Sequence, residues 1–281
     1  MINVKQLQYQ YPKANGFAIR GIDFNIDQGE VFGFLGPSGS GKSTTQKILF
    51  KLLPGYQGQA SIDGKEVKDW GKEIYQKIGV GFELPNHYLK LSALENLEFF
   101  LAFYPKSLDP MELLERVGLK EDANKKVGDF SKGMKMRLNF IRSFMHDPEI
   151  LFLDEPTSGL DPVNARLVKD IILDLKAQGK TIFITTHQMH DADELCDRVA
   201  FIVDGQIETM DSPENLKIKH SKRSVEVLFK QAANKETFEL DHLGRNEAFL
   251  RKIASQEIET IHSREASLDD IFIQVTGKTL V

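Results

Sequence analysis

Apolar and polar residues alternate along "INVKQLQYQY" and again along "FAIRGIDFNIDQGE", and each run predicts a strand, the second closed by a Gly turn. "EVFGFLGPSGSGKSTTQKILFKLL" changes character twice, from a strand-length apolar run to a Gly-rich loop to helical spacing. "GQASIDGKEV" predicts a hairpin on an Asp-Gly turn. From residue 84 to about 145 the period lengthens. "SALENLEFFLAFY", "DPMELLERVGL" and "SKGMKMRLNFIRSFMH" each carry apolar residues at helical spacing, with Ser92, Asp109 and Ser131 placed as N-caps. This stretch predicts a helical insert. Beyond it, "EILFLDEP" predicts a buried strand, "NARLVKDIILDLKAQG" a helix closed by Gly179, and "KTIFITTH" another buried strand. "MHDADELCDR" is helical and "RVAFIVDGQIETM" is a last hairpin. Strands alternating with helices predict an α/β unit around a mostly parallel sheet.

After "DSPENLK" the character shifts. "KIKHSKR" is polar and basic and suits a linker, although such a run could also meet nucleic acid or anionic lipid. "SVEVLFK" and "TFELD" predict strands, "NEAFLRKIAS" a helix, "EIETIHS" an extended segment and "SLDDIFIQVTG" a short closing helix. The expected organisation is therefore a large α/β domain over 1–215, with a helical subdomain over about 85–147, and a small α+β domain over 216–281. Hydrophobic residues at 41% and charged residues at 27% allow an ordinary globular core. A formal net charge of -5 gives no electrostatic case for nucleic acid as the main partner. The single cysteine, Cys196, cannot form an internal disulfide. The start shows no basic-then-apolar leader. No apolar run approaches the ~18 residues of a membrane span. The expectation is a cytoplasmic chain whose membrane role, if any, runs through a partner.

Two stretches carry chemistry. "GPSGSGKST", residues 36–44, fits G-x-x-x-x-G-K-[ST] between a strand and a helix. Backbone amides of such a loop wrap phosphates, and the helix start adds partial positive charge. Gly36, Ser38, Gly39, Ser40, Gly41, Lys42, Ser43 and Thr44 are thus nucleotide-binding candidates. Lys42 is a point cation for the β- and γ-phosphates, and the Ser43 hydroxyl is a candidate Mg²⁺ ligand. "ILFLDEP" ends a hydrophobic strand in Asp154, which can hold Mg²⁺ through its water shell, and Glu155, which can orient or deprotonate an attacking water.

With these residues the chain, over about residues 1–212, resembles the nucleotide-binding subunit of an ATP-binding cassette (ABC) transporter. "FSKGM" stands where the family has its signature motif, "LFLDEP" as Walker B, "SGLD" as D-loop and "TTH" as switch-histidine motif, in the family's order. The resemblance implies a P-loop cassette with a mixed sheet core and helical subdomain. It implies an ATPase using ATP and Mg²⁺ that works as a head-to-tail pair with a second copy or a related subunit. Ser131 and Gly133 would then grip the γ-phosphate held on the other subunit's loop; plain capping of a helix by Ser131 is the bland alternative. Tyr11 matches the aromatic that stacks on adenine, with Tyr9 as competitor. Asp161 would sit at the dimer seam, a role compatible with capping the helix before Pro162. His187 would contact the γ-phosphate and position water. Lys42, Glu155 and His187 are the implied catalytic set.

The chain departs from the family pattern at Glu83, where Gln is common. A Glu keeps oxygens for the metal and loses an amide donor, so Ser43, Asp154 and Glu83 form the expected metal set. Lys132 and Met134 stand where the signature usually has Gly and Gln. "ELPNHYLKLSALENLEFF", with His87, Tyr88, Leu89 and Leu91 read as exposed, is the implied contact with a membrane partner. "ASLDDIFIQVTGK" resembles the tail of bacterial ABC-2-type exporters, whose permease is a separate integral membrane chain. The ATPase would thus lie peripherally on the inner face of the membrane. A soluble ABC ATPase in a non-transport assembly is the alternative. "HQMHDADELCD" offers His187, His190, Asp191, Asp193 and Cys196, but a metal cluster is not expected there.

Overall fold

The structure, a computed structural model, describes residues 1–220, 224–230, 232, 234–264 and 266–278. The chain falls into two compact units, Met1–Ser212 and Pro213–Thr279.

In chain order, the first unit runs β1 (Ile2–Tyr9), β2 (Ile19–Ile26), β3 (Val31–Leu35), α1 (Lys42–Leu49), β4 (Gln57–Ile62), β5 (Lys65–Glu66), α2 (Ile74–Lys77) and β6 (Ile78–Gly81). It continues through α3 (Ala93–Leu101), α4 (Pro110–Arg116), α5 (Lys132–Phe144), β7 (Ile150–Asp154), α6 (Pro162–Ala177), β8 (Thr181–Thr186), α7 (Met189–Leu195), β9 (Arg198–Val203) and β10 (Gln206–Asp211). Two sheets result. One is antiparallel, in the order β2-β1-β4-β5; the other has the order β10-β9-β3-β8-β7-β6 and is parallel except for β10. They share one core, in which Phe24 of the first sheet packs on Phe34 of the second at 5.0 Å between centroids, and Phe34 on Phe183 at 4.9 Å. Aromatic rings deliver large buried area at such a junction.

Both hairpin turns place two consecutive residues at positive φ, Asp63 and Gly64 in one and Asp204 and Gly205 in the other, which matches the right-handed twist of the strands. The three helices α3 to α5 lie between β6 and β7, and each starts on its expected cap. Ser92 forms a reciprocal capping box with Glu95, Asp109 accepts from Glu112 N with Pro110 following, and Ser131 accepts from Met134 N.

Parallel register decides where the chemistry falls. Leu35 pairs with Thr186, Asp154 with Thr185, and Gly81 with Leu153. The residues that follow β3, β6, β7 and β8 therefore emerge together at one edge, the C-terminal edge where parallel sheets present ligand sites.

The second unit contains α8 (Pro213–His220), β11 (Ser224–Phe229), β12 (Glu236–Glu239), α9 (Glu247–Ser255), β13 (Ile258–Arg264) and α10 (Leu268–Thr276). Its antiparallel sheet has the order β12-β11-β13, and Val225, Val227, Phe229 and Phe249 form a small core. Residues 217–220, read above as linker, are the last turn of α8. The helix begins on Pro213, buries Leu216, and ends in Lys217, Lys219 and His220, basic residues of which the two lysine charges suit a helix C-terminus. The rest of that basic stretch, 221–223, lies outside the described residues. Among the described residues no helix is long and apolar enough to cross a membrane.

Candidate nucleotide site

At two points in the loop after β3 only a glycine avoids a clash. A methyl at Gly36 would overlap the Ile202 carbonyl, and Gly41 holds φ 112 with its would-be Cβ 2.6 Å from Ile19 Cδ1. Helix α1 starts on Gly41 with no side-chain cap. Lys42 Nζ donates to the carbonyls of Gly36 at 2.6 Å and Pro37 at 3.0 Å, which holds the ammonium inside the loop. Burial lowers the Lys42 pKa, opposed by Glu155, Asp154 and Glu83. The cation therefore sits among three carboxylates, and its charge is answered within the site.

A cleft of about 320 Å³ opens over this loop. Ser38, Gly39, Gly41, Lys42, Ser43 and Thr44 line one side; Glu83, Asp154, Glu155 and His187 line the other. Gly36 and Ser40 lie behind the lining. Ser40 is buried and its carbonyl accepts from Gly205 N, which ties the loop to the β9–β10 turn. Ser43 Oγ donates to Asp154 Oδ1 at 3.1 Å, and Thr185 Oγ1 donates to the same oxygen. Gln46 Nε2 donates to Phe183 O at 2.9 Å and fastens α1 across the sheet. Ser43, Asp154 and Glu83 together offer hard oxygen donors, the chemistry Mg²⁺ accepts.

Glu155 is buried at a left-handed φ of 51. One carboxylate oxygen accepts from Thr186 Oγ1 at 3.1 Å; the other meets His187 Nδ1 at 2.8 Å. Burial raises the Glu155 pKa, and His187, Lys42 and Thr186 act against that shift. When Glu155 is ionised, His187 donates from Nδ1 and keeps Nε2 as its second polar atom. A base of raised affinity, oriented by a histidine, is thus placed across the cleft from Lys42.

Besides Gly36 and Ser40, four more of the expected residues are absent from the cleft lining. Tyr11 is 37% exposed and its hydroxyl lies 3.0 Å from Thr44 Oγ1, while Tyr9, 6% exposed, packs edge-on against it at 5.0 Å. Of the two tyrosines, Tyr11 presents a ring beside the loop. Ser131 and Gly133 open α5, where Ser131 Oγ accepts from Met134 N at 3.2 Å and a methyl at Gly133 would touch only Leu160, at 3.8 Å. Asp161 caps α6, accepting from Val163 N at 3.1 Å and Asn164 N at 3.0 Å.

Sequence reasoning did not single out Thr185, Thr186 or Gln46, although the two threonines sit inside the quoted "TTH" run. It also read His87 and Leu91 as exposed. Both are half-buried, and His87 hydrogen-bonds Lys135 O at 2.9 Å; Tyr88 and Leu89 are exposed. The loop is turned this way because Asn96 bonds the backbone of Tyr88 through both its amide atoms, at 2.9 and 3.0 Å. On α7, His190, Asp191 and Glu194 converge. Lys169 pairs with both carboxylates, Thr157 donates to Asp191 and Arg166 to Glu194, so these oxygens are already engaged.

Residues 19–158 match the family described as "ABC transporter", and residues 223–265 match one described as "Fluoroquinolone efflux ABC transporter C-terminal domain". A fluoroquinolones export ATP-binding protein of Mycobacterium tuberculosis is 57% identical over 284 residues, covering 100% of this chain and 94% of the relative. A bacitracin transport ATP-binding protein of Bacillus licheniformis is 33% identical and covers 91% of each. Among solved structures, a dimeric post-hydrolysis state of an ATP-binding cassette bound to ADP and Pi superposes with a TM-score of 0.69 at 28% identity, over 75% of this chain and 98% of that one. The phosphate loop, the acidic strand end and the histidine meet in one cleft on this fold, and the chain belongs to the ABC transporter family, as an ATP-binding and ATP-hydrolysing subunit.

Proposed function

We infer that this ATPase powers a separate integral membrane permease, and that the pair exports its cargo from the cell. The observation that carries the reading is the single cleft that Lys42, Ser43, Asp154, Glu155 and His187 line together. In it, Lys42 and the loop amides neutralise the β- and γ-phosphates of ATP, and Tyr11 stacks on adenine. Ser43, Asp154 and Glu83 hold Mg²⁺, which offsets phosphate charge when bound. Glu155 takes the proton of a water whose oxygen bonds the γ-phosphorus, while the bond to the β-phosphate oxygen breaks and ADP leaves. His187 holds Glu155 and the water in line.

The start of α5 completes the site of a second subunit. Ser131 and Gly133 reach the γ-phosphate bound on the other chain, and Asp161 lies at the seam. Tyr88, Leu89, Leu84 and Phe103 leave exposed apolar surface for the permease, which holds the chain at the membrane. Likeness to a fluoroquinolones export protein along the whole chain supports fluoroquinolones as cargo.

The test is a tagged Glu155→Gln chain drawn from gently solubilised native membranes with ATP present. A stoichiometric multi-span membrane protein is the expected catch, and the co-purified pair reconstituted with the unsubstituted chain should move a fluoroquinolone under Mg·ATP. Recovery of soluble assembly components alone, with the chain absent from membranes, would overturn the reading.

A further inference from the structure

Helix α5 begins at Ser131 and Gly133, and farther along it fastens everything from β6 to the loop around Glu83. Asn139 is buried and donates from Nδ2 to the Phe82 carbonyl at 2.7 Å, one residue before Glu83. Arg142, one turn on, donates to the Asn86 carbonyl at 2.5 Å and to Asn139 Oδ1 at 3.0 Å. The same guanidinium meets His87 Nδ1 at 3.4 Å. That contact makes Nδ1 an acceptor, so the ring proton sits on Nε2 and is donated to Lys135 O at 2.9 Å. Burial holds the His87 pKa down to about 4, which keeps this neutral tautomer in place. At the strand itself, His146 Nε2 lies 3.0 Å from Ile78 O, and a methyl at Gly79 would overlap the Ser143 carbonyl. Helix and strand are in direct backbone contact.

The Arg142 guanidinium is unusual in its company. Burial lowers its pKa, and among the described residues no carboxylate pairs with it. Its partners are two loop residues, an amide on its own helix, and the Phe100 ring 4.7 Å away. A shielded cation without a counter-ion is costly to keep. What it does here is hold segment 82–87 to α5.

We propose that Asn139 and Arg142 are positioning residues that make the Glu83 loop and the start of α5 one rigid body. The inference rests on the head-to-tail reading above. Neither residue touches nucleotide. Under it, engagement of Ser131 and Gly133 with the partner's ATP sets the position of Glu83 in the chain's own cleft, and so couples the two sites through a contiguous set of contacts.

A double-mutant cycle on the full chain tests this. Arg142→Lys keeps the charge and cannot span three acceptors. It should leave binding of a fluorescent ATP analogue to the single chain within about twofold, lower kcat about tenfold with little change in KM, and bring the Hill coefficient for ATP towards 1. In a Glu83→Ala background the Arg142→Lys loss should vanish, because the group it positions is gone. Asn139→Ser runs through the same cycle, so a fold defect in one variant does not decide the outcome. ATP-driven pairing of Glu155→Gln is measured in parallel by sedimentation. Pairing intact with additive kcat losses in both cycles, or with kcat unchanged in both single variants, overturns the positioning role alone. Absence of ATP-driven pairing in Glu155→Gln overturns the head-to-tail reading, and this inference with it.

Discussion

Two helices of this chain begin at glycine-bearing turns suited to phosphate, and they begin differently. Helix α1 starts on Gly41 with no side-chain cap, inside a cleft that already carries Lys42, Glu83, Asp154 and Glu155. Helix α5 starts on Ser131, whose own hydroxyl satisfies Met134 N, with Ser131 and Lys132 exposed and no catalytic group of this chain beside it. The first start leaves amides to a ligand and surrounds it with charge. The second supplies its own acceptor and stays stable without one. The cleft groups gather around the first, and under the proposed head-to-tail pairing the second is a part made for another chain.

The sharpest test of this contrast is Glu155→Gln, which removes the base from the cleft. Turnover should fall about 10²–10⁴-fold. Its stability effect runs the other way. The unfolded carboxyl ionises near 4.5, while burial makes the folded one hold its proton to higher pH. Stability is thus full below that range and is lost as pH rises through the folded pKa. Glu155→Gln should raise Tm at neutral pH, with the gain shrinking towards pH 4.5. Equal Tm at both pH values, read by calorimetry, would remove the electrostatic account of the site.

Ser131→Ala addresses the other start. ATP affinity of the single chain should stay unchanged, while ATP-driven pairing in the Glu155→Gln background weakens about 10- to 100-fold, the worth of a hydrogen bond to a charged group. Loss of single-chain affinity instead would place Ser131 in its own chain's site. Tyr11→Ala should raise the Kd for ATP by the ~1–3 kcal/mol of a base–aromatic stack, and Tyr11→Phe, which loses only the Thr44 contact, by much less. The smallest effect is expected from Glu83→Gln, a few-fold rise in the Mg²⁺ concentration for half-maximal rate. Unchanged rate and Mg²⁺ dependence would take Glu83 out of the metal set.

The groups in the cleft were legible because each lies in a short motif at the end of an apolar strand, and parallel register brings strand ends together. Alternation alone did not tell which of Tyr9 and Tyr11 turns into the core. Burial along β1 alternates through Ile2 and Val4, then shifts phase at Gln6, where φ is 47 and the register slips before Leu7. That bulge turns Tyr9 into the core. Asn139 and Arg142 gave no sequence signal. Their carbonyl partners lie 57 and 56 positions earlier, so a helical pattern counts them only as polar breaks in an amphipathic run. The basic residues of α8 misled for a related reason: a run of cations looks solvated, and the helix end that favours it is not visible locally.

Under the proposed head-to-tail pairing the two helix starts of one chain serve different sites, and defects in them should then obey the logic of complementation. A chain lacking Lys42 and a chain lacking Ser131 are each inactive as symmetric pairs, since every site in either pair carries one lesion. Mixed together, they form pairs in which both lesions fall on the same site and the other is whole. Two dead proteins would recover activity on mixing, and two chains carrying the same lesion never would.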